Sequence, residues 1–403
     1  MFTFVRKNDT ISVRKGGNVM HRLVQTIRDF FQKGDMVLLL LCLVTNAFGC
    51  LVIASTTNTM GAVRYVIIQI AAAAIGVCFY AIISSVDTEF FSEHRSTLVI
   101  FNTILLLLLI PFGTDNGTGN RSWLDFPLLP VNIQPAEICK ITYILIMASV
   151  MSSHQNRISH WKSVFHMVFH LILLVGLNVV LSRDAGVSLI FVFVFIGMAF
   201  AGGVHLLWFL LAAGGIALVA PFAWEYVMSD YQKLRLEALW NPEIDPLGTG
   251  VRYQANQGLR SLTGGGLMGQ GLFQGTRTQT PDALYAQHTD FIFDAIGEEM
   301  GYVGCALALV MLVAIIFRCI YVGNRSQDYM RRLVCFGAAS ALIFQVISNV
   351  GMCLGVTPVI GLTLPFISYG GSSIVSLYAM LGLVSGVYAR PASTSQERYI
   401  RPY

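Results

Sequence analysis

The sequence predicts an all-α, polytopic membrane protein of about ten transmembrane helices, and three observations predict it. Of 403 residues, 55% are hydrophobic and only 12% are charged, roughly half the charged fraction of a soluble globular chain. Ten apolar runs follow one another, each long enough or nearly so for the roughly 20 residues that carry a helix across a bilayer core of about 30 Å. Basic residues then collect in alternate connections between those runs. No repeat of roughly 20 to 50 residues is visible, so a solenoid is not supported. The eight cysteines lie in or near apolar runs without metal-ligand spacing and read as buried small hydrophobes, not as a disulfide framework.

Residues 1–35 form a basic N-terminal segment with Arg6, Lys7, Arg14, Lys15, Arg22, Arg28 and Lys33, and lack the apolar core and cleavage site of a leader. Leu23, Val24, Ile27, Phe30 and Phe31 recur at helical spacing beside Arg22 and Arg28. A short helix lying on the headgroup layer fits that pattern, and a disordered basic tail is the alternative.

One domain, residues 36–390, holds the spans, expected at 36–54, 63–84, 98–112, 135–151, 164–181, 185–201, 206–224, 291–320, 333–354 and 364–387. Only Ser182, Arg183 and Asp184 divide the fifth from the sixth, and a single bent span there would invert everything after it. With the N-terminus inside, the inner loops receive Arg157 and Lys162, then Arg318, Arg325, Arg331 and Arg332. Arg390 and the 391–403 tail, with Arg398 and Arg401, also fall inside, as the positive-inside rule requires. Residues 113–134, 225–290 and 353–363 then face outward.

The 225–290 loop is too long to be a plain connector. It opens with a short amphipathic helix around Tyr231, Gln232, Lys233 and Arg235, breaks at Asn241-Pro242 and Asp245-Pro246, and continues into glycines 264, 265, 266, 269, 271 and 275. These glycines lack a P-loop lysine and a strand-to-helix setting, so they are no nucleotide signature. Close backbone approach to a phosphate and plain turns both remain open.

Asp290 stands just ahead of Phe291, in the first turn or cap of the eighth helix. The helix dipole lowers the pKa of a carboxyl there, while burial raises it. A general base working near neutral pH needs burial to win; the alternative is a plain N-cap. Asp294 and Glu298 follow on the same helical face, which should look into the bundle because carboxylates do not meet lipid. Glu299 points elsewhere, toward a base near the interface. His288 is either a proton carrier or a hydrogen-bonded neighbour. Glu137 and Lys140, three apart, share a face of the fourth span, either as an internal ion pair or with the lysine aimed at an anionic lipid head. Arg121, Arg183 and Asp184 add charge at that level. Pro358, Pro365 and the Gly370-Gly371 pair interrupt the helix pattern, and non-helical backbone at that depth implies a polar cavity near the outer end of the last helix.

HTDFIF with GEEMGYVG, GLMGQGLFQGTRTQ, QPAEICK, YQKLRLEALWNPEIDPLGTG and NVGMCLGVTPVIGLTLPFISYGGSS occur in that order over residues 121–390. Together they resemble the SEDS family, the shape, elongation, division and sporulation proteins. The GTRTQ variant and the short tails are more similar to its rod-shape branch than to its division branch.

The resemblance implies a peptidoglycan glycosyltransferase of the bacterial cytoplasmic membrane that polymerises lipid II, carried on undecaprenyl diphosphate, and pairs with a class B penicillin-binding transpeptidase. It implies contact with membrane lipid, no nucleic acid, and a divalent cation, Mg or Mn. The family's essential acid falls on Asp290. Its QPSE motif is matched by Gln134, Pro135 and Glu137, with Ala136 where serine is usual. Its outer-loop motif is matched at Tyr231, Gln232, Arg235, Asn241, Pro242, Asp245, Pro246, Gly248 and Gly250, with Val251 and Arg252 as extras before Tyr253. Asp184 matches an acidic position that the family precedes with Gln-Pro, here Ser182-Arg183. The expected substrate-binding residues are Gln134, Glu137, Lys140, Arg121, Asp184, Arg235, Gln279, His288, Ser368 and Ser372. Two other readings stay open, a lipid flippase or transporter running ions past Asp294 and Glu298, and a non-catalytic scaffold that activates the transpeptidase.

Overall fold

The computed structural model describes residues 32–114, 120–125, 132–226, 228–245, 250, 252–281, 283–284 and 286–390. The basic N-terminal helix, the 391–403 tail, Pro246 and Gly248 lie outside the described residues. Apolar runs become α1 (Met36–Thr56), α2 (Ala62–Ser85), α4 (Arg95–Leu107) with the one-turn α5 (Leu109–Phe112), and α6 (Pro135–Ser153). They continue as α7 (Trp161–Ser182), α8 (Ala185–Ala201), α9 (Leu206–Tyr226), α12 (Ile292–Arg325), α13 (Tyr329–Cys353) and α14 (Gly371–Ala389). Among the described residues nine of these segments, with α4 and α5 counted together, are long and apolar enough to cross a membrane, and the shorter α8 completes the ten. Three amphipathic or polar helices connect them: α3 (Thr88–Glu93), α10 (Asp230–Glu237) and α11 (Tyr253–Gly264). Two short strands, β1 (Gly113–Thr114) and β2 (Trp123–Leu124), pair antiparallel in the connection after α5.

The doubtful division between the fifth and sixth spans is real. Arg183 takes a left-handed conformation (φ 57°) that ends α7, and Asp184 caps α8 by accepting from the Val187 N–H at 3.1 Å. Most of α6, α13 and α14 is buried, so these three form the bundle core, whereas no residue of α9 is buried. Close packing in the core relies on missing side chains. A Cβ at Gly76 would lie 2.6 Å from the Tyr378 ring, and one at Gly382 would lie 2.8 Å from the Tyr80 carbonyl oxygen. The end of the bundle opposite Asp290 is clasped by Arg318, whose guanidinium holds the buried Asp35 carboxylate through two bonds of 2.9 Å. Tyr80 donates to the Asp35 carbonyl at 2.9 Å. Of the cysteines, all free, Cys78 is exposed and Cys50 partly so; only the other six are buried.

Three expectations need correction. The last helix begins at Gly371, not at residue 364, because residues 358–370 leave helical geometry, with Phe366 at φ 63°. The eighth span is not one straight helix. Gly301 (φ 66°, ψ −165°) breaks it, and the segment ahead of the break, Ile292 to Glu299, is fully buried. Within the long loop a second helix, α11, follows α10; its small polar residues hid it among turn-forming neighbours.

Candidate active site

Five spanning helices begin at the same end of the bundle, α2, α6, α8, α12 and α14, and the last four start around the carboxylates. Each helix start carries partial positive charge and unbonded N–H groups, and the carboxylates of the region cluster among them. Ser376 of α14 donates to Glu137 of α6 at 2.6 Å. The start of α8 presses on the non-helical segment, since a Cβ at Gly186 would lie 2.5 Å from the Ile360 carbonyl oxygen. A Cβ at Gly361 would lie 3.7 Å from Asp290 Oδ2. Asp290, Asp184 and Glu137 are thereby brought together from three elements.

Asp290 is not a helix cap. The capping position of α12 is Phe291, without a side-chain bond, so the Asp290 carboxylate precedes the helix and caps nothing. Its backbone is fixed from behind. Asn349 Nδ2 donates to the Asp290 carbonyl at 2.8 Å and to that of Leu362 at 2.7 Å. Ser368 Oγ donates to the Thr289 carbonyl at 2.6 Å, and the Tyr369 N–H to that of His288 at 2.9 Å. Gln69 Nε2 donates to the Ser368 carbonyl at 3.1 Å. Burial pushes the Asp290 carboxyl up to about 6, with the negative charge of Asp184 adding to the rise. Burial also raises Asp184, against the bonds it receives from Val187 and Ser122. Burial lowers His288, which sits between Tyr65 and Tyr369 with ring centroids 5.1 and 5.7 Å away. Its Nδ1 is buried without a partner.

Lys140 is an internal lysine, not one reaching toward lipid from the surface. It is 1% exposed, its Nζ lies 2.9 Å from Glu137 Oε2, and it makes no well-directed hydrogen bond. The hydroxyls of Ser372 and Ser373, at the start of α14, are likewise buried without partners. Buried polar groups are normally paired, so this concentration of free donors at converging helix starts suits a polar, anionic guest.

Two expected groupings dissolve. Asp294 and Glu298 do not continue Asp290 along one face, because Asp290 lies outside the helix. Asp294 packs against α11, where a Cβ at Gly258 would lie 2.1 Å from its Oδ2. Glu298 accepts from the N–H groups of Arg277 (2.6 Å) and Thr278 (3.2 Å). Among the described residues Glu299 meets no base; it accepts from Ser55 Oγ, from Thr278 Oγ1 at 2.7 Å and from Gln279 Nε2 at 3.0 Å. Gln279 also donates to the Ser55 carbonyl, so its place is in this anchor of the loop, apart from Asp290. The glycine run is a packing seam. The N–H groups of Gln270 and Gly271 donate to the carbonyls of Glu298 and Glu299 at 2.9 Å each, and the Tyr302 N–H donates back to the Gly266 carbonyl at 2.9 Å.

The remaining candidates edge the site. Gln134 is the residue before α6, partly exposed and without a capping bond. Arg121 is exposed and donates to the Gly113 carbonyl at 3.2 Å, while its neighbour Ser122 reaches Asp184. Arg235 of α10 donates to the Val359 carbonyl at 3.0 Å, fastening the loop to the wall beneath Asp290. Sequence reasoning passed over Asn349, Gln69, Ser373 and Ser376. The available signal was a polar side chain within an apolar span, which is expensive unless it serves a purpose.

The family model described as "Cell cycle protein", for FtsW, RodA and SpoVE, matches residues 35–392. A protein named probable peptidoglycan glycosyltransferase FtsW, from Thiomicrospira cyclica, is 32% identical over 87% of this chain and 90% of its own length. The peptidoglycan glycosyltransferase MrdB of Escherichia coli is 32% identical over 88% of this chain and 93% of its own. Among solved structures, a chain from work on a peptidoglycan synthase complex that coordinates polymerization and crosslinking covers 91% of this chain and 99% of its own, with a TM-score of 0.75 and 27% identity. The rod shape determining protein RodA of Thermus thermophilus shares the fold, with a TM-score of 0.66 and 24% identity over 90% of this chain and 98% of its own.

Proposed function

We propose that this chain, which belongs to the FtsW, RodA and SpoVE family of cell cycle proteins, is a peptidoglycan glycosyltransferase that polymerises lipid II at the outer face of the bacterial cytoplasmic membrane, in cell elongation. The observation that carries the reading is Asp290: a partly buried carboxyl of pKa about 6, capping nothing, its backbone fixed by Asn349 and flanked by the Ser368 bond to Thr289, among four helix starts. The glycan on an undecaprenyl diphosphate donor is attacked at its anomeric carbon by the sugar 4-hydroxyl of an acceptor lipid II. The hydroxyl proton passes to the Asp290 carboxylate, the new glycosidic bond forms with inversion, and the bond to the diphosphate breaks. The diphosphate leaves as an anion, so no strong acid is needed, but positive charge must be in place before the transition state. Lys140, its ammonium buried beside Glu137, and the starts of α6, α8, α12 and α14 supply it. Arg121 and Arg235 are further out and suit the substrate's flanking groups.

A divalent cation fits only as a guest shared with substrate. Among the described residues no three His, Cys, Asp or Glu side chains group as ligands, whereas Mg²⁺ is commonly held by one or two carboxylates plus substrate phosphates. Asp184, the carboxylate beside Asp290, would hold it together with the substrate's phosphates, leaving Asp290 free to take the proton, and such a cation would neutralise diphosphate charge. A chelator added during polymerisation by purified protein should then reduce product, with Mg²⁺ or Mn²⁺ restoring it; full activity in chelator removes the cation.

The orientation with the N-terminus inside, and a class B transpeptidase as partner, belong to the same reading. They are supported by the basic loops and by the similarity to a chain from a synthase complex. The transporter alternative is weakened because Glu298 is engaged by loop amides. The deciding experiment gives fluorescent lipid II to the detergent-solubilised chain, alone and with a transpeptidase partner. Asp290→Asn should lower polymer formation by about 10² to 10⁴, the usual contribution of a general base, while leaving the partner bound. Normal polymer from Asp290→Asn would rule the mechanism out.

A further inference from the structure

We propose a second polar site at the opposite end of the bundle, one that binds the phosphate of an anionic membrane lipid. A cavity of about 380 Å³ lies between α3, the start of α4 and the last turn of α6, within the ~300–1,000 Å³ range of small-molecule pockets. Its lining is Arg95, the exposed Glu93 and five serines, Ser92, Ser96, Ser149, Ser152 and Ser153. Hydroxyls from three separate elements line one space, and those of Ser92 and Ser149 are joined by a 3.1 Å bond. Arg95 is half-buried, and among the described residues it makes no hydrogen bond or ion pair. A guanidinium with neighbouring hydroxyls is the donor set that recognises phosphate oxygens.

The position selects a lipid over a free anion. The site lies at the end of α6 opposite Lys140, so by the rise of a helix it is about 20 Å from the candidate active site. Trp161 is exposed at the start of the next helix with Lys162 5.4 Å from its ring centroid, and Arg157 lies in the connection between. Exposed tryptophan beside lysine marks the headgroup level of a bilayer. Running away from Arg95 along α4 are Ile100, Phe101, Ile104 and Leu107, all exposed. A polar pocket at headgroup depth that continues into an exposed apolar helix face matches a phosphate with its acyl chains. His154, the residue after α6, is joined to His166 of α7 at 2.9 Å and lies 3.3 Å from Ser163, and the only carboxylate lining the cavity is that of the exposed Glu93.

Native mass spectrometry of the purified full chain, with phosphatidylglycerol and phosphatidylcholine added in equal amounts, tests this. Wild type should retain phosphatidylglycerol preferentially. Arg95→Gln should cut that retention about tenfold or more, the usual weight of a charge-assisted hydrogen bond, with phosphatidylcholine unchanged and Arg95→Lys partly restoring it. Ser153→Trp, at an exposed serine, fills the cavity without touching the guanidinium and should cause the same loss should Arg95→Gln fail to fold. Equal retention of the two lipids, or no change in a folded variant, overturns the site. Displacement of the lipid by inorganic phosphate alone overturns the lipid as occupant. None of these readouts depends on polymerisation, so they stand or fall apart from the glycosyltransferase reading.

Discussion

Asp290 and its neighbour Asp184 make a titration the residue-scale test of the site. A base must be deprotonated to act, and burial has lifted Asp290 to about 6. Polymerisation should therefore rise with pH through that value and fall away below it. Removing the neighbouring negative charge with Asp184→Asn should lower the Asp290 pKa and move the rising limb to lower pH. A limb that stays in place, measured as initial rate against pH, would separate the two carboxylates. At this scale the sequence disclosed which residue types matter: a carboxylate beside an apolar span is conspicuous wherever it falls. It did not disclose what each is bonded to. Glu298 and Glu299 look as catalytic in the sequence as Asp290 does, and only their bonds to Arg277, Thr278 and Gln279 assign them to holding the loop.

Helix α11 and the start of α12 meet along a seam of glycines, and the precision of the site depends on it. A Cβ at Gly297 would lie 2.2 Å from Leu262 Cδ1 and 3.2 Å from Leu262 Cα, and one at Gly265 would lie 1.9 Å from the Gly297 carbonyl oxygen. Gly301 needs a φ of 66° that other residues rarely adopt, and a Cβ there would meet the Gly269 N–H at 2.4 Å. Gly297→Ala and Gly301→Ala should each destabilise the fold by about 1–3 kcal/mol, read as a lowered melting temperature in detergent. Gly214→Ala, on α9 with nothing within 4 Å, is the matched control and should be neutral. The apolar spans were legible because length and hydropathy alone define a crossing helix. The kink and α11 were not, because both depend on a loop folding back onto a distant helix.

Across the whole molecule, the two ends are built differently. The Asp290 end gathers helix starts and free donors, and the Asp35 end is fastened by Arg318. Labelling of intact cells with a membrane-impermeant maleimide should reach cysteine placed at the exposed Thr280 and miss cysteine at the exposed Gln327, in a background carrying Cys78→Ala. The reverse result would invert the bundle and move the chemistry to the inner face.

Composition and periodicity determined, unaided, a ten-span helical protein and the alternation of its basic loops, and showed that carboxylates crowd the start of its eighth span without choosing among them. Those properties follow from local hydrophobicity and charge, which each segment carries whatever its neighbours do. Tertiary structure alone decided that Asp290 caps nothing, that Lys140 is interior, that the glycines seal helix to loop, and that Arg95 shares a cavity with serines from three elements. Each depends on which backbones approach one another and which donors are left over afterwards, and that is a property of the packed bundle, not of any stretch of chain.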